Sequence, residues 1–151
     1  MKKSWTLISL TSVILLAVSI SCSDGPKSLN PNGDSELALL MRAMYDDGMK
    51  NKQLLLDGKQ PEVMVKYKQI LTAKPTESMK VDAATFTPHA LAYEMAMDSL
   101  IASDASNRVA AYQLMVNACM NCHQSMCPGP KVKIRHLSFS EAELASLASK
   151  Q

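Results

Sequence analysis

Cys119-Met120-Asn121-Cys122-His123 sets two thiols and an imidazole at positions i, i+3 and i+4. No other feature constrains the fold as much. The spacing is that of a helix, where residues three and four apart share a side. It closes a run that carries Val109, Tyr112, Met115 and Val116 at the same period. The three reactive side chains therefore face one flat object together. C-x-x-C-H is the attachment site of a c-type haem. Two thiols add to the two vinyl groups of one porphyrin, and the adjacent histidine reaches the iron. Two other chemistries use similar residues. A C-x-x-C pair can be a thiol-disulfide redox site, although that pair usually opens a helix after a strand, and no β-α pattern surrounds this one. Cys119, Cys122, His123 and Cys127 could also form a zinc shell. Structural zinc usually draws ligand pairs from two separated segments, whereas these four lie on one short stretch.

The N-terminus specifies the compartment. Met1-Lys2-Lys3 is a basic start, Leu7 to Ile20 is apolar, and small residues follow. These are the parts of an export signal, expected over residues 1–21. The apolar run is too short for a comfortable transmembrane helix. Cys22 after Ser19-Ile20-Ser21 resembles the lipobox of a bacterial lipoprotein, in which the cysteine is acylated and becomes the mature N-terminus. The alternative is an ordinary cleaved signal with Cys22 left free. Either way the chain leaves the cytoplasm, as a periplasmic or outer-membrane-anchored protein. Covalent c-type haem is assembled on that side of the membrane. Residues 1–21 contain Lys2 and Lys3 and no acid, so the mature chain carries 14 basic and 14 acidic residues. A net charge of zero leaves no nucleic-acid footprint. The mature chain also loses Trp5 and keeps two Phe and four Tyr among many Met, Leu and Ala. A haem would supply the missing flat apolar surface.

Residues 22–34 are rich in Ser, Asn, Gly and Pro and read as a tether. The rest, 35–151, reads as one all-α domain. A first helix starts near Asp34 or Ser35, turns Leu37, Leu40, Met41, Met44 and Leu55 inward, and ends at Asp57-Gly58. Pro61 opens a second, with Val63, Met64, Tyr67, Ile70 and Leu71 inward. Residues 74–87 form a long connection. Thr87-Pro88 starts a third helix with Leu91, Met95 and Leu100 inward. Asp104 caps a fourth, which carries the C-x-x-C-H and breaks at Pro128-Gly129-Pro130. Beyond lie a basic segment, Lys131 to His136, and Ser140-x-x-Glu143, a capping-box signature. Four such helices suit an antiparallel four-helix bundle with a short C-terminal extension.

A four-helix bundle with C-x-x-C-H near the end of its last helix resembles cytochrome c-prime and its low-spin relatives. The first helix, LALLMRAMYDDGMKNKQLLLDGKQP, is similar to that family's opening helix down to the terminal glycine. The likeness spans about residues 35–127; the CPGP turn and the longer tail depart from it. The resemblance implies a single covalent haem c held by Cys119 and Cys122, with His123 as the proximal iron ligand. The family's distal position, counted back from Gly58, falls at Met41, with Met44 as the alternative on the same face. A distal Met makes a six-coordinate electron carrier with redox partner proteins. An apolar distal residue leaves a five-coordinate iron that binds small gases such as nitric oxide. Members of the family are often homodimers.

Other polar residues have simpler expectations. His89 reads as a capping or surface histidine, and His136 as solvated or partner-facing. Arg42 is either a propionate partner or exposed. Cys127 reads as a buried thiol. Lys131, Lys133 and Arg135 form a basic turn that suits docking to a redox partner. No acid–base constellation near the motif indicates an enzyme. The expected function is electron transfer through a His/Met-ligated haem on a protein anchored by lipid at Cys22. Gas binding and a haem-free zinc or dithiol protein are the alternatives.

Overall fold

The computed structural model describes residues 34–76 and 82–149. The export signal, Cys22 and the tether up to Gly33 lie outside the described residues. Every regular element among the described residues is helical. Helix α1 spans Glu36–Leu56, a 3-10 turn Tyr67–Leu71, α2 Ala83–Ile101, α3 Arg108–Ser125, α4 Lys131–Arg135 and α5 Glu141–Ala148.

Helix α1 begins where Ser35 accepts the Ala38 amide at 3.2 Å. Its end is a Schellman turn. The Gly58 amide donates to Leu55 and the Lys59 amide to Leu54, at 2.9 and 2.8 Å. That turn needs a left-handed residue, and Gly58 supplies it with φ +76°. The inward stripe is Leu37, Leu40, Met44, Asp47, Gly48, Asn51 and Leu55, at the three-and-four spacing that the sequence displays.

The second of the four expected helices is not an α-helix. Residues 61–66 contain no helix and lead into the 3-10 turn, with Met64 75% exposed and Leu71 also outside. The reason lies on α1. Asn51 is 1% exposed and needs backbone partners. Its Oδ1 accepts the Glu62 amide at 2.7 Å, while its Nδ2 donates to the Glu62 carbonyl at 3.3 Å. Asp47 accepts the Met64 amide at 2.9 Å. These backbone groups are free because the chain here is not helical. The segment thus becomes a strap running back along α1, and the Leu37 amide meets the Lys74 carbonyl at 3.0 Å. Tyr67 and Ile70 plug its 3-10 turn into the core, and the Tyr67 hydroxyl donates to Asp98 at 2.6 Å.

Helix α2 starts earlier than Thr87-Pro88 suggests. Asp82 is the N-cap, accepting the Ala84 and Thr85 amides at 3.3 and 3.1 Å. Pro88 sits inside the helix, where it leaves the exposed Ala84 carbonyl without its intrahelical donor. The inward face is also rotated from expectation. Ala90, Tyr93, Met97 and Leu100 are buried, whereas Leu91 and Met95 face outward. Helix α3 starts at Arg108 with Asn107 at its N-cap. Asp104 instead ties the preceding turn, accepting the Ser106 amide at 2.8 Å. Helices α2 and α3 form the most extensive helix pair.

The tail is folded. Ser140 and Glu143 make the expected capping box, with mutual bonds of 3.2 and 2.7 Å. Lys52 on α1 clamps the tail with all three ammonium protons. It donates to the carbonyls of His136 and Ser138 and to Glu143, at 3.2, 2.8 and 3.0 Å. Ile134, Leu137, Phe139 and Leu147 enter the core.

Candidate haem-attachment site

Helix α3 contains no glycine or proline and is rich in alanine and methionine, so it holds its period through the motif. Cys119, Cys122 and His123 lie together near its C-terminal end, each half-buried. The Cys119 thiol donates to the Met115 thioether at 3.9 Å. Burial, with a smaller contribution from Cys122, pushes the Cys119 thiol up to about 12. Burial and the neighbouring Cys127 also raise Cys122. Thiol-disulfide centres work through a depressed thiol pKa, so these two thiols have the opposite character. All three described cysteines are free.

His123 sets its own tautomer. Its Nδ1 lies 2.8 Å from the Cys127 carbonyl oxygen. A carbonyl can only accept, so Nδ1 carries the proton and Nε2 of the neutral ring keeps its lone pair. Metal-binding histidines are oriented in this way by a second partner. Among the described residues, no three His, Cys, Asp or Glu side chains are gathered to hold a metal ion. Cys119, Cys122, His123 and Cys127 do not close into the tetrahedral shell that the zinc alternative requires. Cys119, Cys122 and His123 present two thiols and one imidazole nitrogen on the last turns of one helix.

Helix α1 runs antiparallel to α3. The Arg108 guanidinium donates to the Gly58 carbonyl at 3.0 Å. The Tyr112 hydroxyl is shared between the carbonyls of Gly48 and Leu137, 3.1 Å from each. A Cβ on Gly48 would lie 3.8 Å from Met115 Cε. From that crossing, Met41 is as many residues back along α1 as Cys122 is forward along α3. At 1.5 Å per residue both are displaced by about 10 Å in the same direction. Met41 and Met44 therefore lie on the half of α1 that runs toward the motif end of α3. Met44 is 6% exposed and part of the packed core, while Met41 is half-buried at the core's edge. The two methionines and Gly48 share one face of α1.

The remaining candidates are placed as follows. Arg42 pairs with Asp34 at 2.7 Å. His89 is in the second turn of α2, not at its cap, and its Nε2 is 3.4 Å from Ser125 Oγ at the end of α3. His136 is exposed, and its carbonyl is held by Lys52. Lys133 lies over the Tyr45 ring at 4.4 Å, so the basic turn is partly committed to α1. An open, mostly apolar groove of about 420 Å³ lies between α2 and α3 and is lined by Met95, Leu114, Ala118 and Asn121, but by neither thiol nor the imidazole of the motif. Sequence reasoning missed the Cys127 carbonyl. Its available signal was the CPGP turn, which ends the helix one turn beyond His123. No family model, curated protein or solved structure matches the chain.

Proposed function

We propose that this protein is an exported monohaem c-type cytochrome that carries electrons through a His/Met-ligated haem. The observation that carries the reading is the C-x-x-C-H on α3 with His123 Nδ1 bonded to the Cys127 carbonyl at 2.8 Å. Cys119 and Cys122 would hold the haem as thioethers, and His123 Nε2 would be its proximal ligand. Met41, on the motif side of the α1–α3 crossing and less tightly packed than Met44, would be the distal ligand. The bound group would supply a reversible one-electron couple. A Met thioether is a soft neutral donor and tends to raise that couple's potential. The chain's part is to bind, orient and shield; no side chain moves a proton or attacks a substrate.

The resemblance to cytochrome c-prime is part of this reading. In that comparison the strap stands in for the second bundle helix, leaving three long helices to frame the group. Cys22 would anchor the protein by lipid near its membrane donors and acceptors. The test is the chain matured in its export pathway. Its mass should exceed that of the processed polypeptide by one haem that acid-acetone does not extract. The Cys119→Ser, Cys122→Ser variant should carry none. Unmodified mass from a host with working maturation machinery overturns the reading. A high-spin protein that binds carbon monoxide readily would replace the electron carrier with a gas binder. Labelled fatty acid should enter the wild type and not Cys22→Ala.

A further inference from the structure

The longer tail and the CPGP turn have no counterpart in the resemblance; the structure brings the turn to His123 and ties the tail to Lys52 and Tyr112. We infer that the main-chain carbonyl of Cys127, held by this turn and the folded tail, is a positioning group for the His123 ring. The inference rests on the proposed haem function.

The carbonyl is fixed from both sides. Upstream, the Met126 amide closes the last turn of α3 on Cys122 at 3.0 Å. Downstream, the Lys131 amide meets the Pro128 carbonyl at 3.3 Å and the Ile134 amide meets Pro130 at 3.0 Å. Two prolines limit the φ angles between. The turn is backed by α4, anchored through buried Ile134, and by buried Leu137 just beyond it. Leu137 is tied to Tyr112 through its carbonyl at 3.1 Å, and Lys52 holds the next turn. Tyr112 lies on α3 itself, so the helix that carries His123 also holds the tail that steers it. The Cys127 side chain takes no part in the bond to His123; the acceptor is its backbone oxygen. This assigns the residue a role that any side chain tolerated by the turn can fill.

The chemistry follows from the donor. An Nδ1–H bonded to a fixed carbonyl keeps Nε2 as the ligating nitrogen and makes it more basic. A more basic ligand favours the ferric state. Releasing the carbonyl therefore raises the reduction potential. Loss of such a partner costs 10–100-fold in metal affinity. Where a tenfold loss falls on the ferric state alone, the ferric-over-ferrous preference falls about tenfold, or about 59 mV for a one-electron couple, and that is the ceiling at the lower end of the range.

The test uses the full matured chain. Nitrogen NMR of the His123 ring reports the tautomer and the solvent exchange of Nδ1–H, and spectroelectrochemistry reports the potential. Wild type should show a slowly exchanging Nδ1–H. Cys127→Ser should match it in both measurements. Pro128→Gly with Pro130→Gly should speed that exchange at least tenfold and raise the potential by up to about tenfold in the redox equilibrium. If the double-glycine chain does not fold, Tyr112→Phe, which unties the Leu137 carbonyl of the tail along with the Gly48 carbonyl of α1, should move both quantities the same way by less. An Nε2–H tautomer in wild type overturns the inference. So does a potential that moves with Cys127→Ser as far as with the turn variant, or one that moves with neither turn nor tail. A chain without covalent haem overturns the functional reading instead, and the ring tautomer on that chain still decides the contact.

Discussion

Asn51→Leu is the sharpest test of how the strap is held. The substitution keeps the approximate volume of a side chain that is 1% exposed. It deletes the 2.7 Å bond from the Glu62 amide and the 3.3 Å bond to the Glu62 carbonyl. It also removes the amide donor 3.1 Å from the Asp47 carboxylate. A stranded buried polar group costs about 1–3 kcal/mol. Glu62 is partly wetted, so about 1–2 kcal/mol for each of its two groups is the appropriate range, with about 1.5 kcal/mol for the carboxylate's lost donor. Burying leucine returns about 2 kcal/mol. The net loss is about 1.5–3.5 kcal/mol, a large part of the 5–15 kcal/mol typical of a domain. Denaturant unfolding measures the loss, and hydrogen exchange at the Met64 amide locates it. Asn51→Asp should be worse at neutral pH, because it sets a second carboxylate against Asp47, and should partly recover on acidification when the pair shares a proton. A stability within about 0.5 kcal/mol of wild type, with Met64 exchange unchanged, would refute the claim that this side chain keeps residues 61–66 out of a helix.

Gly48→Ala should destabilise by about 1 kcal/mol, because its Cβ would lie 3.0 Å from Leu137 Cδ2 and overpacking outweighs the helix-propensity gain. In a Leu137→Ala background the same change should stabilise, which paired thermal melts would reveal. On the proposed haem function, Met41→Ala should turn the oxidised protein high-spin and open it to carbon monoxide. Met44→Ala should leave the visible spectrum alone and cost about 2–4 kcal/mol as a core truncation; a spin change in that variant instead moves the ligand by one turn. Burial raises the phenols of Tyr93 and Tyr112, and burial plus Asp98 pushes Tyr67 up to about 12. The unfolded chain ionises first, near pH 10, so their stabilisation is complete below that pH and is lost as pH rises toward and through about 12. Phenol titration by ultraviolet absorbance should show these groups ionising late and together with unfolding; three independent titrations near pH 10 would contradict this.

The C-x-x-C-H, its helix and the inward stripe of α1 were legible because each depends on short-range periodicity. Residues three and four apart share a helical side whatever the rest of the chain does. The Gly58 stop and the Ser140–Glu143 box were legible for the same reason: their partners lie within one turn. The second helix was misread because its apolar spacing is compatible with a helix. The decision rests with Asn51 and Asp47, polar residues on another element whose burial demands free backbone groups. Rotation of α2 was equally hidden. Leu91 and Met95 are apolar, but Ala90, Tyr93 and Met97 fit closer against α3, and packing selects by shape as well as by hydropathy. For the candidate site, sequence alone determined which thiols and which imidazole stand on one face. Only the tertiary structure decided that His123 Nδ1 meets the Cys127 carbonyl, that Met44 is buried while Met41 is only half-buried, and that the tail folds back onto α1 and α3. Those outcomes depend on a carbonyl, a helix crossing and a clamp joining residues far apart in the chain, and long-range contacts carry no local periodicity to read.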